Sequence, residues 1–161
     1  MISIRKLEDF RWMEYRDLRL EALKNEPIAF GSSYEDEKDY TEDTWKAMLK
    51  NVIFALIDDK PVGMIVLVIS LKPKVKHIAN IFGIYVKKRY RQKGLGKLLL
   101  DAAISISKEK KLEKIKLGVN PEQEAAVSLY KKYGFVEVGR PRNELKIDGK
   151  LYDEILMEKY L

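Results

Sequence analysis

Cysteine is missing from all 161 residues, which excludes disulfides, thiolate metal sites and a cysteine nucleophile together. Histidine is nearly as scarce: His77 is the only one, and it falls where a strand should start, a structural rather than a catalytic place. Long apolar runs are also missing. The longest, Val62 to Leu71, is interrupted by Gly63 and Ser70 and has about half the length a membrane span needs. The first residues, Met1-Ile2-Ser3-Ile4-Arg5, alternate like a strand and lack the apolar h-region of a signal peptide. Neither repeats nor low-complexity segments occur. These absences lead to the expectation of a cytoplasmic protein with no membrane partner and no metal.

What is present suits one compact domain spanning 1–161: hydrophobic residues make up 46% of the chain, enough for a substantial core. Lysine and arginine number 31 against 25 acidic residues, for a net charge of +6. That surplus favours an anionic ligand. The basic residues are scattered, and neither an aromatic platform nor a recognition helix accompanies them, so no specific nucleic-acid partner is expected.

The pattern along the chain mixes strands and helices. Ile2 to Leu7 reads as a strand, and Glu8-Asp9 starts a helix that should turn Phe10, Met13, Leu18, Ala22 and Leu23 inward before Pro27. Pro27 to Ser33 reads as a loop. Tyr34 to Lys50 reads as a second helical region, with Thr41 as an N-cap within it. Val52 to Ile57 and Val62 to Leu71 read as a hairpin about Asp58-Asp59-Lys60-Pro61. A basic linker, Lys72 to Lys76, leads to a strand over His77 to Val86. A helix follows with Leu95, Leu98, Leu99, Ala102, Ala103 and Ile106 on one stripe. Leu112 to Val119 is the next strand. Asn120, Pro121 and Gln123 then occupy the N-cap, N1 and N3 positions of a helix that should end at Gly134. Phe135 to Gly139 and Leu145 to Met157, broken at Asp148-Gly149, supply the last strands.

The junction between the fourth strand and its helix carries the chemistry. Lys87-Lys88-Arg89-Tyr90 runs into Arg91-Gln92-Lys93-Gly94-Leu95-Gly96. A helix N-terminus offers unpaired N–H groups and the positive end of the helix dipole, and glycines let a phosphate approach the backbone. A Walker A loop would need glycine at Arg91 and Ser or Thr at Leu98. A dinucleotide fingerprint would need a third glycine at Leu99. Both patterns fail.

What remains is Arg-x-x-Gly-x-Gly after the hydrophobic-x-hydrophobic end of a strand (Ile84-Tyr85-Val86), with Ala-x-x-Leu-Tyr-x-x-x-Gly-Phe over Ala126 to Phe135. In these blocks the chain resembles the GNAT superfamily of acetyl-CoA-dependent N-acetyltransferases. The element order fits from about Ile4 to Leu161, and Ile84 to Phe135 carries the specific motifs. The resemblance implies an α/β fold with a twisted, mixed but mostly antiparallel sheet of about seven strands, splayed between the fourth and fifth, and about four helices. It implies acetyl-CoA as co-substrate in the gap and an amine acceptor, with a homodimer left open. Backbone groups of Ile84, Tyr85 and Val86 would pair with the pantetheine arm. Arg91, Gln92, Lys93, Gly94, Leu95, Gly96 and Lys97 would hold the pyrophosphate, and Asn120 and Gln123 would touch the co-substrate. Tyr130 would protonate the departing thiolate.

The expected base is missing: the fourth strand has no carboxylate, and Gly118 stands where some relatives place a glutamate. The acceptor must attack as a free amine, which costs roughly 4–5 kcal/mol at pH 7 for a lysine-like amine and about 1 kcal/mol for an α-amine. Glu35, Glu37 and Glu154 are the candidate bases. The reading is therefore an N-acetyltransferase acting by direct attack on a primary amine of a small molecule or a peptide N-terminus. A noncatalytic acyl-CoA-binding module of the same fold is the alternative.

Overall fold

Val52–Ile57 (β2) is apolar at every position, and a strand with no polar face must be covered on both sides. In the computed structural model, which describes residues 1–161, Val52, Phe54 and Leu56 enter one hydrophobic core and Ile53 and Ala55 the other. The sheet therefore separates two cores. The first holds Trp12–Asn25 (α1) and Glu42–Leu49 (α3), with Tyr15 and Trp45 edge to face at 5.5 Å. The second holds Leu95–Glu109 (α4), packed through Leu95, Leu99, Leu100 and Ala103.

Ile2–Arg5 (β1), β2, Lys60–Ile69 (β3) and Ile78–Val86 (β4) form an antiparallel half-sheet. Lys114–Val119 (β5), Val136–Gly139 (β6) and Ile155–Tyr160 (β9) form the other half, and the seven strands run in the order β1-β2-β3-β4-β5-β9-β6. The halves join through the one parallel pairing, β4 with β5, from Ile78↔Lys114 to Ile81↔Leu117. Beyond Ile81 the two strands part. The cause lies in β4: its register against β3 jumps from Leu67↔Ile81 to Ile65↔Ile84, a bulge at Phe82-Gly83 that bends the strand. Gly83 has φ +121°, and a Cβ there would lie 2.7 Å from the Phe30 ring, so only glycine lets Phe30 pack beneath the bulge.

The expected mixed sheet and its splay are present, and several boundaries move. Phe10 and Met13 are exposed, because Asp9–Arg11 form a single 3-10 turn and α1 starts only at Trp12. The region from Tyr34 to Lys50 divides into Tyr34–Glu37 (α2) and α3, capped separately by Ser33 and Thr41, which brings the helices to five with Glu124–Lys132 (α5). The buried stripe of α4 passes through Leu100, Ile104 and Ser107 and leaves Leu98 exposed. The hairpin turn tightens to Asp58 and Asp59, both at positive φ, and Pro61 sits within β3 beside a bulge, where a missing N–H is tolerated. Leu145–Ile147 (β7) and Lys150–Tyr152 (β8) form a separate hairpin, and β9 continues to Tyr160.

Candidate active site

The parting of β4 and β5 opens a cleft of about 870 Å³. One wall is the end of β4: Ile84, Tyr85 and Val86 pair with Ile65, Met64 and Gly63 of β3, while the opposite edge of β4 has no strand beside it past Ile81. Such an edge offers main-chain groups to an extended ligand. The facing wall is α5, which contributes Ala126, Leu129 and Tyr130, and the mouth is the glycine turn.

That turn is built to expose its amides. Gln92 has φ +62° and Gly94 φ +78°, and α4 has Gly94 as its N-cap with no side-chain cap. The backbone N–H groups of Gln92 through Lys97 have no partner in the protein. Consecutive free amides at a helix start form an anion-binding concavity. The two glycines act differently: a Cβ on Gly94 would meet nothing within 4 Å, so the positive φ is its requirement, whereas one on Gly96 would lie 3.7 Å from Leu129 of α5. That is ordinary van der Waals contact, so packing between the two helices does not itself demand glycine at 96.

The structure brings Ile84, Tyr85, Val86, Arg91, Gln92, Gly94, Leu95, Gly96, Lys97, Gln123 and Tyr130 to this one cleft. Lys93 and Asn120 are outside its lining. Lys93 lies over the Tyr90 ring at 5.5 Å, with Arg89 on the same ring at 5.1 Å. Arg91 braces the strand end: its Nε donates to the Val86 carbonyl at 2.8 Å and its Nη2 pairs with Glu26 at 2.7 Å. Its own N–H donates to Lys88, so neither its backbone nor its guanidinium is free in the way Gln92 to Lys97 are. The sequence carries no local sign of Glu26, nor of Glu21, which accepts from the Tyr85 hydroxyl at 2.9 Å. Both partners lie more than sixty residues away in the chain, and no local pattern marks them.

Asn120 departs from expectation. It does not cap α5, whose N-cap is Gln123. Its Oδ1 instead accepts from the Glu122 N–H at 2.9 Å in a tight turn, and its Nδ2 is buried without a partner. Gln123 keeps a place in the cleft with no side-chain capping bond. Tyr130 is 4% exposed and packs edge-on against Phe135 at 5.6 Å. Burial drives its phenol well above the ordinary tyrosine value, which keeps the hydroxyl protonated.

The three candidate bases differ sharply. Glu37 is buried and gripped by Arg19 through two bonds of 2.9 Å. Glu35 is exposed and paired with Lys38 at 2.6 Å. Glu154 is half-buried, makes no ion pair, and lies across Gly118 of β5, where its carboxylate takes the space a side chain would occupy. A second pocket of about 390 Å³ opens on the α1 face of the sheet. Tyr15, Phe30, Met48, Val66, Val68 and Phe82 line it beside Arg19.

A family model described as the acetyltransferase (GNAT) family matches residues 7–135. L-amino acid N-acetyltransferase AaaT of Escherichia coli strain K12 is 28% identical over 108 residues, 66% of each chain. Spermidine N(1)-acetyltransferase of Vibrio cholerae is 32% identical over 111 residues, 66% of this chain and 64% of that protein. The chain thus spans just under two thirds of the length of these relatives. Among solved structures, an acetyltransferase of the GNAT family from Streptococcus pneumoniae superposes with a TM-score of 0.88 at 28% identity, covering 100% of both chains.

Proposed function

The chain belongs to the acetyltransferase (GNAT) family, and from that premise we propose that it transfers an acetyl group from acetyl-CoA to a primary amine, on a small molecule or a peptide N-terminus. The observation that carries this reading is the run of partnerless amides from Gln92 to Lys97 at the mouth of the cleft. A pyrophosphate placed there sends its pantetheine arm back along the free edge of β4, toward the point where the strands part. The thioester then lies between β4 and Tyr130. A backbone N–H of β4 polarises its carbonyl, the amine attacks directly, and Tyr130 protonates the departing sulfur.

The second pocket supports an acceptor with an apolar body. Its walls are mostly aromatic and aliphatic, and the Arg19 charge is already matched by Glu37, so nothing in it rewards a polycation. An α-amine also costs less to deprotonate than a lysine-like one. Apolar L-amino acids and peptides with an apolar first residue are the favoured class.

Incubation with acetyl-CoA and a panel of amino acids, dipeptides and polyamines, followed by free-thiol release, tests this. The expected result is acceptor-dependent release, fastest with the apolar α-amines. Tight CoA binding with no acceptor-dependent release across the panel would support the noncatalytic module instead.

A further inference from the structure

Gly118 is the first residue of β5 past the last β4 pair, Ile81↔Leu117, so it stands at the fork where the two strands part, although neither it nor Glu154 is among the residues that line the cleft or the second pocket. Its neighbours Leu117 and Val119 face the α4 core, which turns Gly118 toward the opposite face of the sheet. That face also carries the second pocket. A Cβ on Gly118 would overlap Glu154 Oε1 and lie 2.7 Å from its Cδ. Glu154 precedes β9, whose Leu156 pairs with Gly118, and its N–H is anchored to the Pro141 carbonyl at 3.0 Å. The absent side chain at 118 is thus replaced, in space, by a carboxylate from a different strand. No hydrogen bond or ion pair to its oxygens accompanies the two influences on it, burial and the Glu144 charge.

We propose that Glu154 is the general base of the transfer, held at the fork by the vacancy over Gly118. This rests on the acetyltransferase reading above. The Glu154 carboxylate takes one proton from the acceptor ammonium, and the nitrogen lone pair forms the C–N bond at the thioester carbon. The C–S bond breaks with its electron pair on sulfur, which takes a proton from Tyr130. The second nitrogen proton leaves to solvent, Glu154 releases its own, and Tyr130 regains one, so each turnover frees one net proton.

The surroundings suit a base. Partial burial, and then the Glu144 charge, raise the Glu154 pKa, making it a stronger proton acceptor than a solvated carboxylate. Lys116 lies on the same face of β5 as Gly118; Asp153, next to Glu154 in the chain, accepts from the Asn143 N–H at 3.0 Å; and Glu158 further along β9 is paired with Lys114 at 3.1 Å.

The test compares the pH profiles of wild type, Glu154→Gln and Gly118→Ala, with acetyl-CoA affinity measured by calorimetry. Wild type should gain activity as pH rises through the Glu154 pKa. Glu154→Gln should lose roughly 10²-fold or more in kcat near neutral pH and recover toward wild type in alkali, where the amine sheds its own proton. Gly118→Ala, whose new methyl displaces the carboxylate, should lose activity while keeping acetyl-CoA affinity. If wild type turns over and Glu154→Gln keeps both its kcat and its acidic limb, Glu154 is not the base and the acetyltransferase reading stands. If wild type releases no thiol with any amine, both readings fall.

Discussion

Arg19 and Glu37 grip each other through two bonds of 2.9 Å in the α1 core, 7% and 1% exposed. Phe30 covers the guanidinium at 4.8 Å, and the same ring fills the space beneath Gly83. The pair therefore supports the bulge that opens the cleft. Removing one charge leaves the other buried and unpaired. Glu37→Ala should cost about 3–5 kcal/mol, read as a lower urea midpoint, whereas replacing both residues with Met and Leu should cost less than either single loss. Equal costs for the single and double variants would contradict this.

Tyr130 offers a test of the proton donor. Because burial holds its phenol above the ordinary value near 10, it stays protonated through the mildly alkaline range. Its ionisation should give kcat no descending limb near neutral pH. Tyr130→Phe should lower kcat by roughly 10²-fold with little change in acetyl-CoA affinity, and unaltered kcat would remove it from the mechanism. The raised pKa also has a stability sign. Its contribution is complete below the unfolded value near ~10 and declines as pH rises toward the folded one, because the unfolded chain ionises first.

Gly94 tests the phosphate site. A β-branched residue at φ +78° is strained by about 1–3 kcal/mol, and relieving that strain rearranges the amides of the turn. Wild type at a CoA concentration of 100 Kd should gain about 2.7 kcal/mol of stability, seen as a rise in Tm. Gly94→Val should fold with a lower Tm and show no CoA-dependent rise. A full rise in that variant would place the phosphates elsewhere.

The sheet and the glycine turn were legible because their signals are local: alternation, β-branched runs, and glycines ahead of an apolar stripe. Where local signals misled, tertiary structure decided. Phe10 and Met13 fit a helical stripe, yet the chain holds them in a separate turn and on the exposed side. Asn120 and Pro121 resembled a helix start, yet the Asn120 side chain served the turn before the helix. The pairings that shape the site could not be read at all. Arg91 with Glu26, Gly83 with Phe30 and Gly118 with Glu154 join residues far apart in sequence. In the last two, the informative feature is a missing side chain whose filler comes from elsewhere.

The wedge of Phe30 under Gly83 also bears on timing and entropy. The spread of β4 away from β5 is set by the protein's own packing, so on the proposed reading the donor enters a groove already shaped for it. The cost of ordering that groove is met during folding, and the association step begins with preorganised amides and a fixed aperture.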